Sequence, residues 1–195
     1  RKYYKRKLLN KNIAKKIFLF GFPLIGVTVT TWILNVSDRY IIQFFYSSTE
    51  VGLYSYAYSL GNSLFSLLIQ FIMLGAHPNI VKAWESGGRE QAQNIIKTYL
   101  RIYFLVIIPA ITGVIGVAKN FFEAFTDVQY QSSYIVFIIT CIGIAILGLT
   151  QYSNKAWELK EKTRNVLILN VIAAIINILL NFIFIPMLGY QMGAV

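Results

Sequence analysis

Charge is scarce in this 195-residue chain, and acid is scarcer still. Only 13% of its residues are charged, with eight acidic side chains against eighteen basic ones and a single histidine. A soluble globular domain carries about 25% charged residues, so roughly half the usual complement is missing. Cysteine is nearly absent too. Cys141 stands alone in an apolar run, which excludes an internal disulfide and reads as a small buried hydrophobe. There is no G-x-x-x-x-G-K-[ST] phosphate loop, no H-E-x-x-H and no cysteine pair. The expectation is a chain with no catalytic group, no metal and no cofactor.

What is present is long apolar sequence. Residues 17–37 are free of charge over 21 positions, 51–81 over 31, 102–118 over 17, 128–154 over 27 and 165–195 over 31, taking His77 as neutral. A bilayer's hydrocarbon core is spanned by about 20 apolar residues of helix. Five such helices fit, at about 17–46, 51–84, 89–117, 133–157 and 165–185, behind a basic segment at 1–16. A soluble fold is excluded by size, because 195 residues cannot wrap five buried helices in polar layers. A spanning barrel is disfavoured because runs such as Phe71–Leu74 and Val166–Leu169 lack the two-residue alternation of barrel strands. The fold class is therefore all-α, a polytopic transmembrane helix bundle.

The basic residues orient it. Residues 1–16 carry eight Lys or Arg, 82–101 carry four and 155–164 carry four, all on one side of a five-crossing chain. The opposite side receives Lys119 alone, with Glu50, Glu123 and Asp127. Positive residues stay cytoplasmic, so the N-terminus is expected inside. This distribution attributes the net charge of +10 to membrane orientation, with no nucleic-acid partner. The bases of 155–164, mixed with acids, read as a solvated helix extension that touches anionic lipid heads. Lys119–Gln131 reads as an external connection whose Phe121, Phe122 and Phe125 share an interfacial face. Residues 189–195 look like the opening of a sixth helix, and both ends read as cuts in a longer protein.

Three patches carry a family likeness. They are Phe22-Pro23 through Asp38-Arg39-Tyr40-Ile41-Ile42, Val51-Gly52-Leu53-Tyr54-Ser55-Tyr56-Ala57-Tyr58-Ser59-Leu60, and Pro186-Met187-Leu188-Gly189-Tyr190-Gln191-Met192-Gly193-Ala194. In this order the chain resembles the oligosaccharide flippases that export O-antigen and capsule repeat units, relatives of the multidrug-and-toxin extrusion transporters. The resemblance implies most of the second lobe of a two-lobe, multi-pass transporter of the bacterial cytoplasmic (inner) membrane. Its partners would be an undecaprenyl-pyrophosphate-linked oligosaccharide, membrane lipids, a missing N-terminal lobe and the polysaccharide polymerase machinery. Transport would proceed by alternating access. Two alternatives stay open: a drug or metabolite exporter of the same superfamily, and a polysaccharide polymerase or ligase subunit.

Several polar residues inside the apolar runs are cavity candidates. Arg39 lies roughly 33 Å along its helix from Ile17, close to the outer interface. It reads either as an anchor or local ion pair with Asp38, or as a guanidinium that meets pyrophosphate or sugar. Asn170, Asn177 and Asn181 fall within about 40° on one face of the fifth helix, either bonding between helices or lining a hydrated cavity. Tyr54 and Tyr58, with Tyr56 between them, suit an aromatic belt or a sugar-stacking surface. Gln70 is an isolated polar group that points to the same cavity.

Overall fold

The computed structural model describes residues 11–160 and 162–194. Among them there is no strand. The elements are α1 (Lys11–Phe45), α2 (Ser48–Phe125), a 3₁₀ turn (Val128–Ser133), α3 (Tyr134–Glu158), α4 (Thr163–Leu188) and a second 3₁₀ turn (Tyr190–Ala194). All four α-helices are long and apolar enough to cross a membrane. Of the basic segment 1–16, residues 1–10 lie outside the described residues, and 11–16 already belong to α1.

α2 contains 78 residues. Straight, it would run about 117 Å, several times the thickness of a bilayer core of about 30 Å. It is not straight, because Gly88 adopts φ 65°, ψ −152°, a backbone region essentially closed to any residue with a Cβ. The helix folds there into limbs 48–87 and 89–125. Tyr56 packs edge-on against Phe122 with ring centroids 6.1 Å apart, and Asn79 donates to the Tyr99 hydroxyl at 2.8 Å. Both pairs centre on residue 89, so the limbs are antiparallel. The five rods read from the sequence are thus present within four continuous helices.

The rods pack as a trio and a pair. The two limbs of α2 close on α3 around Phe65, Ile69, Tyr103, Phe122, Val136 and Cys141. Gly148 lets that crossing form: a Cβ there would lie 2.7 Å from Ile69 and collide with the Tyr103 hydroxyl, which donates to the Ala145 carbonyl. In the pair, Gly26 meets Leu167, Asp38 meets Asn181, and Tyr46 donates to the Ile185 carbonyl at 3.1 Å. These contacts climb together along both helices, so α1 and α4 run parallel, as the first and fifth crossings of an alternating chain must. Between α1 and α2 the turn is two residues long. Ser47 caps α2, accepting from the Thr49 N–H at 3.2 Å while Glu50 accepts from the Ser47 N–H at 3.1 Å. Large apolar side chains such as Leu19, Phe71, Leu105 and Met187 stay exposed along every helix, far beyond what a soluble monomer tolerates and suited to lipid.

Several boundaries differ from the sequence reading. The second limb of α2 continues to Phe125, so Lys119–Gln131 is not a free connection, and its phenylalanines divide. Phe122 is fully buried while Phe121 and Phe125 are exposed. α4 passes through Pro186 and ends at Gly189, whose φ of 99° turns the chain. A proline within the last turn forfeits one N–H bond where the ladder is about to end anyway, so the glycine sets the stop. Lys155 is not solvated: it is buried and paired with Glu158 at 2.5 Å. Where the opening of a sixth helix was expected, Tyr190–Ala194 form the 3₁₀ turn, a conformation common at helix ends. Cys141 is buried, as its apolar setting implies.

Candidate functional site

Asp38 and Arg39 are neighbours on α1, and successive helical residues point about 100° apart. They therefore serve different partners and make no ion pair with each other. The ion pairs among the described residues are Lys119–Glu123 and Lys155–Glu158.

Asp38 turns inward and is only 5% exposed. Its Oδ1 accepts from Asn181 Nδ2 at 2.7 Å, and its Oδ2 lies 3.1 Å from the Tyr54 hydroxyl. Asn181 also donates to Asn177 Oδ1 at 3.1 Å, and the Tyr54 hydroxyl donates to the Gly193 carbonyl at 2.8 Å. One carboxyl group thereby gathers α1, α2, α4 and the C-terminal 3₁₀ turn at one point. Its depth is seven residues before Phe45, or about 10 Å from the end of α1. Tyr54 has a single hydroxyl hydrogen facing two acceptors. The Gly193 carbonyl and the Asp38 carboxylate therefore share that one hydrogen.

Arg39 runs along α2 instead. Its Nε donates to Ser55 Oγ at 3.1 Å, and Nη1 donates to the Asn35 carbonyl at 2.8 Å. The guanidinium carbon lies 5.3 Å from the Tyr58 ring centre, within reach of a cation–π interaction. Tyr58 in turn donates to Asn35 Oδ1 at 3.1 Å and stacks on Tyr54, with centroids 5.5 Å apart. The Arg39 charge is thus held by dipoles and a π face with no carboxylate partner, and Nη2 makes no hydrogen bond among the described residues.

Of the eight candidates read from the sequence, Asp38, Tyr54, Asn177 and Asn181 converge in the hub, and Arg39 with Tyr58 adjoins it. Asn177 and Asn181 also border a recess of about 580 Å³ with Leu180, Phe184 and Met192. Gln70 is exposed on the first limb of α2, apart from the hub. Asn170 donates to its own helix, at the Val166 carbonyl (2.9 Å). The tyrosine run divides, because Tyr56 lies 200° around the helix from Tyr54 and Tyr58 and meets Phe122 and Tyr130. Asn35, Ser55 and Gly193 were missed. Asn35 stands one turn before Arg39 and Ser55 follows Tyr54 directly, so helical spacing could have found both; Gly193 acts through its backbone carbonyl and leaves no side-chain signal. No group of three or more His, Cys, Asp or Glu suited to a metal occurs among the described residues.

Residues 2–135 match the model of a family described as polysaccharide biosynthesis protein. The match takes in the first and second of the three patches noted in the sequence, and with them Asp38, Arg39 and the tyrosines. No curated protein and no solved structure matches the chain.

Proposed function

Because the chain belongs to the family of polysaccharide biosynthesis proteins, we propose that it is part of a flippase for lipid-linked oligosaccharide, working by alternating access in the bacterial cytoplasmic membrane. The chain would form most of one lobe of a two-lobe transporter, and an N-terminal lobe would supply the facing half of the cavity. Its role is transport and not catalysis.

The observation that carries this reading is the state of Arg39. A cation within a membrane helix is costly, about 2.5–3.5 kcal/mol on insertion scales, and a permanent carboxylate partner would offset that cost most simply. Here Asp38 lies next door and faces away. Arg39 is held in place by Ser55, Asn35 and Tyr58, leaving its charge for an anionic group. A planar guanidinium fork suits phosphate oxygens, and pyrophosphate is the charged part of such a substrate.

The test is export of lipid-linked oligosaccharide in cells that depend on this protein. Arg39→Ala is expected to lower export at least about tenfold, the scale of one charge-assisted hydrogen bond, with Arg39→Lys intermediate because it keeps charge and loses the fork. Full export by both variants overturns the role of Arg39, and unchanged surface polysaccharide after deletion of the whole protein overturns the flippase reading.

A second reading, export of a drug or metabolite, is favoured by one observation. Asp38 is an acidic side chain buried within the bundle, and a proton-driven exporter needs an acidic group there. Uptake of lipophilic cations that rises on deletion, with surface glycan unchanged, would select it.

A further inference from the structure

The hub and Arg39 lie on one side of the first limb of α2; the other side holds a separate polar recess. Tyr56 faces away from Tyr54 and Tyr58 and converges with Tyr130, their ring centroids 5.0 Å apart and tilted by 49°. The two rings, with Ala124, Phe125, Thr126 and Asp127, line a hollow of about 490 Å³, within the size range of small-molecule sites. It sits where α2 ends and the 3₁₀ turn begins, at the end of the bundle opposite the bend at Gly88. Lys82, Arg89, Lys97 and Arg101 flank that bend.

The Thr126 hydroxyl donates to the Phe122 carbonyl at 2.6 Å, but the other side-chain polar groups of the hollow are unspent. Asp127 accepts through its backbone carbonyl from the Tyr130 N–H at 2.8 Å, but its carboxylate makes no capping bond and no ion pair. Lys119, the one base between residues 102 and 154, pairs with Glu123 at 3.9 Å. Neither the Tyr56 nor the Tyr130 hydroxyl has a hydrogen-bond partner among the described residues. Tyr56 is held in position by the fully buried Phe122 yet is itself 41% exposed. A belt tyrosine turns its ring to lipid. Here two rings and an unpaired carboxylate share one hollow.

We propose that this recess is a saccharide-binding site, taking a neutral or amine-bearing pyranose and disfavouring a uronic acid. The apolar C–H face of a pyranose lies on an aromatic ring, whose amphipathic body suits it. A carboxylate accepts from two adjacent hydroxyls or from an ammonium group, and such charge-assisted bonds are the stronger kind. An acidic sugar would meet Asp127 with like charge. The proposal rests on the flippase reading for its biological sense: the basic end is cytoplasmic under that reading, so the recess receives the glycan on the side to which it is delivered.

The experiment uses the full protein in lipid nanodiscs and three probes: the methyl glycosides of glucose, glucosamine and glucuronic acid. Binding is read by saturation-transfer NMR, with thermal unfolding to confirm that each variant is folded. Signals are expected for the neutral and amino sugars and several-fold less for the uronate. Asp127→Asn should weaken amino-sugar binding about tenfold, and Tyr130→Ala should abolish both signals. Equal signals from all three sugars, or signals that both variants leave unchanged, overturn the site. Flipping of lipid-linked oligosaccharide is measured on the same preparation. Intact flipping without saccharide signals removes the recess and leaves the flippase; saccharide signals lost in the variants without flipping keep the recess and remove the flippase.

Discussion

Three donors reach the Asp38 carboxyl group: the amide of Asn181, the hydroxyl of Tyr54 and, at 3.4 Å, the hydroxyl of Ser37. Leucine at position 38 would leave one N–H of the Asn181 amide unpaired, the other still held by Asn177, and leave the tyrosine with one contact fewer. A stranded buried donor costs about 1–3 kcal/mol, and within a bilayer interhelical bonds average nearer 0.6 kcal/mol, so Asp38→Leu should destabilise the chain by about 1–2 kcal/mol. Asparagine keeps an acceptor for Asn181 and a polar group beside the Tyr54 hydroxyl. Asp38→Asn is therefore expected to unfold within about 0.5 kcal/mol of the parent when both are titrated with denaturing detergent. If it unfolds as easily as the leucine variant, the hydrogen bonds of the hub do not set the stability there. At this scale the sequence was informative wherever polarity was rare. Asp38, Arg39 and the asparagines stood out against apolar surroundings, and six of the eight candidates meet in or beside one hub. Gln70 and Asn170 stood out equally and lie elsewhere, because rarity marks a polar residue without saying which neighbour satisfies it. Of the partners that Arg39 hydrogen-bonds, one is the backbone carbonyl of Asn35 and the other a serine hydroxyl on the next limb, and such groups are common everywhere.

Among the elements, α2 depends most on a single residue. Its bend needs positive φ together with an extended ψ at Gly88, and residues with a Cβ reach that region at a cost of about 1–3 kcal/mol. Gly88→Val should lower stability by that amount, while Gly87→Ala, at a position that stays helical, should act only through the Gln91 side chain packed over it. Detergent unfolding of both variants checks this, and equal losses would place the strain elsewhere. The break was legible as a Gly-Gly pair inside a polar stretch. Its helical continuity on both sides was not, because Glu85-Ser86-Gly87 reads as a loop when no packing is considered. Pro186 misled in the other direction. Proline is a strong local stop signal, but inside a final turn it removes little, and the true stop is the left-handed Gly189.

For the whole molecule, the directions of the rods were better read than their neighbours. Alternate crossing predicts that α1 and α4 run parallel and that the limbs of α2 oppose, and the contacts agree. The partition into a trio and a pair was not legible. Lipid is as apolar as leucine, so protein-facing and lipid-facing apolar residues look alike, and only small residues such as Gly61 and Gly148 hint at close packing. The orientation itself is open to a direct test. In a Cys141→Ala background, a single cysteine at Val128, which is 83% exposed, should react with an impermeant maleimide added to whole cells. One at exposed Ser86 should react only after the membrane is opened. The reverse pattern would invert the chain.

The two-residue turn capped by Ser47 also bears on how the protein is made. Emerging alone, α1 would carry Asp38 and Arg39 against hydrocarbon with only the Ser37 hydroxyl and the Asn35 carbonyl of their own helix to bind them. The residues that relieve both, Tyr54 and Ser55, follow sixteen positions later in the chain. The turn between brings them back at the right depth. The nascent α1 and the first limb of α2 are thus suited to leave the translocon together, as one helical hairpin whose charged side chains are hydrogen-bonded before lipid closes around them.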